Sequence, residues 1–547
     1  MKKFLLVLVL SSCMVPVLAR GAMSGEQDLR VIKTEWFDII FPARSEPQAQ
    51  RLASQADSIY QKIAQDYGMA PQFRLPVVIT PAVEQHNGYF SQAFYNHIVL
   101  YDAPPSTDMD IFSDSLLSTF THELTHAYTY NMKNGFWKGV GTIFGDTVNP
   151  GHLLITRGWA EGATLTMESS RGEGRMNSGY SLQMVRQAAI EDKFPAYADV
   201  QGARDTYPAG SFYNFNGGFN QWLQDTYGME KYARFWYNCI NLKALTAGWA
   251  FKKTYGISLN DAWKEFKRQV QQDWSRIPPQ PLKEADESEP PAASDFFEPA
   301  IPEFSSRNRA GALYSSLVVS HRWLAWIDRS TSTIYRSPLP VTEPDSGPQV
   351  QRVATFQGIQ DIRLSQDGRF LVATVLSQNS AAAKMQLWLL DFDTNRWQQL
   401  SSSGRENGMV VRSESGDGYL LLSTEYKNGA TSIHIQRLLE DGRSFRLEHR
   451  YQGDFQEHTQ YRDIVDLGGG RIAFIKSHGG RQQLVLAQLN ATDGKEPPLQ
   501  VLEELDLEDF IRVAGLEASS GSETSSGVGL SIRNLSASPR GAEQSND

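Results

Sequence analysis

Cysteine is almost missing from this chain of 547 residues: there are two, Cys13 and Cys239. Cys13 falls in an N-terminal segment expected to be removed or acylated. The mature chain then lacks a pair for an intramolecular disulfide, and stability must come from apolar cores and bound groups. Cys239 lies in the apolar run Phe235-Trp236-Tyr237-Asn238-Cys239-Ile240, which reads as core and makes the thiol buried and inert. Histidine is scarce too, ten in all, so a pair at ligand spacing carries weight. Positive charge is in deficit, 52 Lys and Arg against 62 Asp and Glu, for a net charge of -10 and no Lys/Arg run. That balance argues against nucleic acid as a partner, because phosphate binding calls for a basic face. Past the N-terminus no apolar stretch approaches the ~20 residues that span a bilayer.

Lys2 and Lys3 are followed by the apolar run Phe4 to Leu10, weaker through Leu18, and Val17-Leu18-Ala19 offers small residues for cleavage after Ala19. Residues 1–19 are therefore expected to be a signal peptide, and the mature protein to be periplasmic or secreted. Leu10-Ser11-Ser12-Cys13 resembles a bacterial lipobox and ranks second, since its apolar run is short; it would leave a lipid anchor at Cys13.

The rest divides by pattern. Residues 23–275 mix strand-like and helix-like periods. Trp36 to Phe41, Leu75 to Thr80 and His97 to Tyr101 read as strands. Pro47 to Tyr67, Asp110 to Met132, Gly217 to Tyr227, Lys231 to Cys239 and Leu259 to Trp274 read as helices, with Asn134-Gly135 as the C-cap of the second. Residues 276–308 are acidic and proline-rich, the composition of a stiff linker. Residues 309–515 repeat a strand–turn–strand unit about every 50 residues, the period of a four-stranded propeller blade, with Asp367-Gly368, Asp417-Gly418 and Gly469-Gly470 at the turns. The Ser/Gly-rich tail, 516–547, is expected to be disordered.

The chemistry concentrates at Thr121-His122-Glu123-Leu124-Thr125-His126. Histidines at i and i+4 share one helix face and reach one ion, and the glutamate between them is placed to take a proton from water there. With so few histidines, HExxH arises by chance in roughly one or two chains per hundred of this composition, so a third ligand must raise it.

Ile155-Thr156-Arg157-Gly158-Trp159-Ala160-Glu161-Gly162-Ala163 supplies one. The segment Trp159-Ala160-Glu161-Gly162-Ala163 ahead of a helical run resembles the third-ligand segment of gluzincins, specifically the bacterial peptidase-MA-like group. Gly172-Glu173-Gly174-Arg175, Tyr213 to Leu223 and Tyr227-Gly228 follow in that family's order, so the likeness covers about residues 30 to 275. The resemblance implies an α+β zincin-type fold and one zinc per chain on His122, His126 and Glu161. It also implies Glu123 as general base and Tyr213 as the residue facing the developing oxyanion. Tyr207 is the nearby rival. Thermolysin-type enzymes carry an acid four residues after the ligand glutamate, behind the first histidine; Leu165 stands there. Thr164 and Glu168 follow at about one and two turns, Glu168 reading more readily as an exposed helix residue. Asn96 to Tyr101 is the candidate substrate-aligning edge strand, with a buried central strand the equal alternative. His86 and His152 sit in loop-like sequence and read as solvated. The Gly-x-Met-Glu-Asn signature of aminopeptidase-N-type enzymes is absent.

Ile362 to Val372, with its Ser-x-Asp-Gly turn, resembles a TolB-like blade, and Leu387 to Leu390 its next strand; 309–515 are expected to form an all-β, propeller-like domain of four or five blades. The reading is a zinc metallopeptidase acting on peptide or protein substrates. The competitors are a binding or assembly protein whose propeller docks partners, and a hydrolase of non-peptide amides.

Overall fold

The computed structural model describes residues 28–70, 73–105, 109, 112–202, 210–275, 314–339, 350–378, 382–413, 418–490 and 498–506. The expected signal peptide, the linker 276–308, the tail 516–547 and Tyr207 lie outside these residues. Described residues 28–275 belong to one compact unit and 314–506 to a second.

In the first unit, strands β1 (Leu29–Lys33), β2 (Phe37–Pro42), β3 (Leu75–Thr80), β4 (Gly88–Ser91) and β5 (His97–Tyr101) form one sheet in the order β1-β2-β3-β5-β4. β2, β3 and β5 run parallel, while β1 and β4 pair antiparallel at the two edges. The segment proposed as the edge, Asn96 to Tyr101, is thus an inner strand; β4 covers it and holds the edge. β5 is buried along His-Ile-Val-Leu-Tyr except at its ends, as a strand paired on both sides requires.

Helix α1 (Glu46–Asp66) lays Leu52, Ala56, Ile59 and Ile63 against the sheet. α2 (Ser115–Tyr130) packs beside it, with Phe120 5.3 Å from Phe37 and Tyr128 6.0 Å from Tyr60. α2 starts later than the periodicity suggests because the Asp114 side chain accepts from the Leu117 amide (3.0 Å) and caps it there. Its threonines are buried polar groups at core positions. Thr121, Thr125 and Thr129 satisfy themselves by donating to carbonyls one turn back, at 2.7–2.8 Å. Asn134 does not end α2. It starts the next helix, α3 (Gly135–Phe144), by accepting from Trp137 N (3.1 Å).

After the short α4 (Gly151–Leu154), α5 (Arg157–Glu168) is anchored by Trp159. That ring is fully buried, 4.6 Å from Phe235, and its Nε1 donates to Tyr197 (2.6 Å). α5 lies against α7 (Ser211–Tyr227) so closely that a Cβ on Gly162 would meet Asn220 Nδ2 at 2.3 Å. In sequence α6 (Gly179–Ile190) separates these two helices; α8 (Met229–Ile240), α9 (Ala247–Tyr255) and α10 (Leu259–Ser275) complete the aromatic core.

Among its described residues the second unit contains four sheets, each of four antiparallel strands in sequence order: β6–β9, β10–β13, β14–β17 and β18–β21, beginning at Tyr314, Ile359, Arg405 and Thr459. This is compatible with a propeller-like domain. The expected hairpins are the first two strands of each sheet. At the first clear turn, Ser365 Oγ donates to Asp367 (2.6 Å), Asp367 accepts from Arg369 N (3.0 Å), and Gly368 takes φ +72°. Three apolar clusters fill the spaces between sheets, one of them joining Ile327 to Leu371.

Candidate metal centre

α2 packs against α5 and against β4, and brings together residues some forty positions apart. His122 and His126 stack edge to face, ring centroids 5.1 Å apart, as i and i+4 demand. Glu161 Oε2 lies 3.2 Å from His122 Nε2 and 3.4 Å from His126 Nε2. One ligand atom from each of the three falls within 4.8 Å of the others. His122 is buried and Glu161 nearly so.

Behind His122 stands Glu168. It is fully buried, not exposed as its sequence suggested, and its Oε2 is 3.0 Å from His122 Nδ1. Arg175 holds it with Nε to Oε1 (2.7 Å) and a second N–H to Oε2 (2.8 Å). Glu168 is seven residues after Glu161, two helical turns, so both project from one face of α5. The carboxylate behind the first histidine, missing one turn on at Leu165, is supplied a turn later. The signal was there: a glutamate in phase with the ligand, and an arginine in the Gly-Glu-Gly-Arg segment.

Glu123 is buried on the side of α2 that faces β4, and its Oε2 accepts from the Phe90 backbone N–H (2.8 Å). The strand comes this close because Gly88 has no side chain: a Cβ there would meet Thr119 Cγ2 at 2.8 Å and Glu123 Cγ at 3.2 Å. A cleft of about 610 Å³ opens beside the cluster, walled by Phe90 to Ala93 on one side and by His126, Tyr130 and Glu161 on the other.

Tyr213 lies in the first turn of α7, half-buried, with the Arg175 guanidinium 5.7 Å over its ring. Burial and the Glu161 charge push its hydroxyl up to about 12, against the pull of Arg157. Tyr130 is a second tyrosine beside the cluster that the sequence did not single out; burial and the Glu161 charge raise it to about 12 as well. His152 is exposed but lines the cleft, its ring 5.0 Å from Tyr130. His86 is partly buried, its Nε2 2.8 Å from Thr119 Oγ1, and is not a plain solvated residue.

The donor set suits zinc. Two imidazole Nε2 atoms and one carboxylate oxygen converge, the usual protein share of a catalytic zinc site. The Glu168 contact orients His122 through Nδ1 and leaves Nε2 for the ion. Burial opposes a charged His122, yet hydrogen bonds to Glu161 and Glu168 outweigh it and raise that imidazole to about 9. The histidine charges in turn hold the Glu161 carboxyl far below the usual carboxylate range despite its burial.

No known protein-family profile matches the chain. Over 273 residues, 47% of its length, it is 30% identical to an uncharacterized protein of Treponema pallidum (strain Nichols), covering 24% of that protein. The chain thus spans about a quarter of the curated relative it matches. Its solved neighbours include TolB-like propeller proteins. TolB from Acinetobacter baumannii aligns at TM-score 0.24 and 14% identity, over 35% of this chain and 44% of that one. The tricorn protease aligns at 0.20 and 13%, over 35% and 22%. The Pyrococcus horikoshii acylaminoacyl peptidase aligns at 0.23 and 15%, over 36% and 32%. Likeness at that level carries no argument about activity.

Proposed function

We propose that the first unit is a gluzincin-type zinc peptidase of zincin fold, periplasmic or secreted, holding one zinc ion on His122, His126 and Glu161. The observation that carries the reading is the convergence of those three side chains beside a cleft walled by a strand edge. When bound, zinc supplies a Lewis acid that acidifies water and polarises a peptide carbonyl. Glu123, steadied by Phe90 N–H, takes the proton of the attacking water and returns it to the leaving amine. The outer edge of β4, the side turned away from β5, lies along the extended substrate and presents the scissile bond to Glu123. Tyr213 donates its hydroxyl to the oxyanion; a hydroxyl held proton-bearing at about 12 keeps that proton at neutral pH. The second unit, a TolB-like propeller, offers a surface for protein partners.

The test is elemental analysis joined to a peptide-library digest. Protein prepared without chelator should carry about one zinc per chain, lost in His122→Ala, His126→Ala and Glu161→Ala. Glu123→Gln should keep zinc and lose at least about a hundredfold in kcat. Absence of any transition metal, or full turnover by Glu123→Gln, ends the proposal.

A further inference from the structure

Helix α3 is out of place on a protein surface. It reads Gly-Phe-Trp-Lys-Gly-Val-Gly-Thr-Ile-Phe, with one ionic side chain, and none of its residues is buried. Phe136, Val140, Ile143 and Phe144 recur at i, i+4, i+7 and i+8, which is one stripe. That stripe faces outward: Phe136 is 68% exposed, Ile143 76% and Phe144 66%. The opposite side, at Gly141, sits over Lys133 and Asp146. An amphipathic helix that turns its apolar stripe to water marks a binding surface.

The stripe does not stand alone. Phe94 and Leu153 are exposed as well, at 56% and 76%. Phe94 N donates to Thr147 Oγ1 (3.0 Å), Thr147 Oγ1 donates to Gln92 O (2.8 Å), and Asp146 N donates to Phe94 O (3.2 Å). Gln92 and Thr147 line the cleft beside the metal cluster, and so does His152, the neighbour of Leu153. The cleft wall is therefore tied by hydrogen bonds to Phe94 and to the segment that follows α3.

We propose that this rim binds an apolar stretch of an extended polypeptide, so that the substrate class is unfolded or unassembled chains with exposed apolar residues. The proposal rests on the peptidase reading above. The occupant follows from continuity: a chain paired along β4 past Phe90 and Ala93 meets Phe94 next. A bilayer is the poorer occupant, since the rim offers Lys138 as its cation and the chain's net charge is -10, which gives anionic headgroups little attraction.

The experiment uses the full chain carrying Glu123→Gln, so that binding is read without cleavage. Labelled peptides share their central residues and carry a Leu/Ile/Phe block or a Ser/Asn/Gln block on one side or the other. At least one apolar-block peptide should bind about tenfold tighter than its polar twin, about 1.4 kcal/mol, which the burial of one such side chain can supply. Adding Ile143→Ser and Phe144→Ser should shrink that preference to about twofold or less. Both side chains are solvent-exposed, so the melting temperature should not move; a fall would be met by repeating the measurement with Phe136→Ser. Equal affinity for all peptides overturns the proposal, and so does a preference that survives the substitutions. Capture by phosphatidylcholine vesicles that the substitutions abolish, with no peptide preference, overturns it in favour of a membrane surface. Peptides bound with the expected preference but never cut by the unsubstituted protein would leave the rim standing and remove the hydrolytic reading. Peptides cut without any preference would do the reverse.

Discussion

Ser365, Asp367, Arg369 and Phe370 close a turn of the second unit among themselves: each finds a partner within five residues, and Tyr419 adds a bond from the next sheet (2.6 Å). The cluster of His122, His126 and Glu161 is built the other way. His122 meets Glu168 across 46 positions and Arg175 across 53, and Phe90 reaches Glu123 across 33. Local turns tolerate change one sheet at a time, because each hairpin carries its own hydrogen bonds. The cluster depends on the crossing of α2 and α5, on the approach of β4, and on small residues where these elements touch. A side chain where these elements touch should therefore disturb the cluster and stability together, while one in a hairpin of the second unit should shift stability alone.

The sharpest break would come at Tyr213. On the proposed reading its hydroxyl acts only on developing charge, so Tyr213→Phe should lower kcat and kcat/KM together by about ten- to a thousandfold with KM nearly constant. Tyr207→Phe serves as the nearby control. Steady-state kinetics decide it, and a silent Tyr213→Phe beside a damaged Tyr130→Phe or His152→Gln would pass the role to that residue.

Next in size is Glu168→Gln. Replacing the carboxylate behind His122 should weaken zinc about ten- to a hundredfold, measured by competition with a chelator. Unchanged zinc affinity would reduce Glu168 to a partner of Arg175.

Gly162→Ala probes the approach of α5 to α7. With Asn220 Nδ2 2.3 Å from the new Cβ, the expected loss is about 1–3 kcal/mol by denaturant titration. An equal or higher midpoint would show that the helices part at no cost.

The smallest effect tests the second unit. His434 Nε2 lies 2.8 Å from His449 Nδ1 between β16 (Ala430–Asp441) and β17 (Ser444–Gln452). Burial, Arg405 and His449 lower His434 to about 4. A folded pKa below the ordinary 6.5 means that the proton favours the unfolded chain. The neutral ring's contribution is thus present above pH 6.5 and is lost as pH falls toward 4. Wild-type stability relative to His434→Gln should drop over that window by on the order of 1 kcal/mol, with turnover at neutral pH unaffected. A difference constant from pH 7 to 4.5 would contradict it.

Much was legible in the chain itself. The HExxH spacing places two imidazoles on one face because helix geometry is local. The alternation and Asp-Gly turns in 309–515 announce antiparallel hairpins for the same reason, and four four-stranded sheets are found there. What sequence left open was whatever depends on contact between distant segments. Glu168 read as exposed because its own helix does not reveal that Arg175 and His122 cover it. Asn96 to Tyr101 and β4 are both short, and only sheet order places β4 outside. Asn134 suits the end of one helix as well as the start of another, and the Trp137 amide decides. Local periodicity fixes which face a residue is on; burial, strand order and the pairing of charges arise when faces meet, and those belong to the tertiary structure.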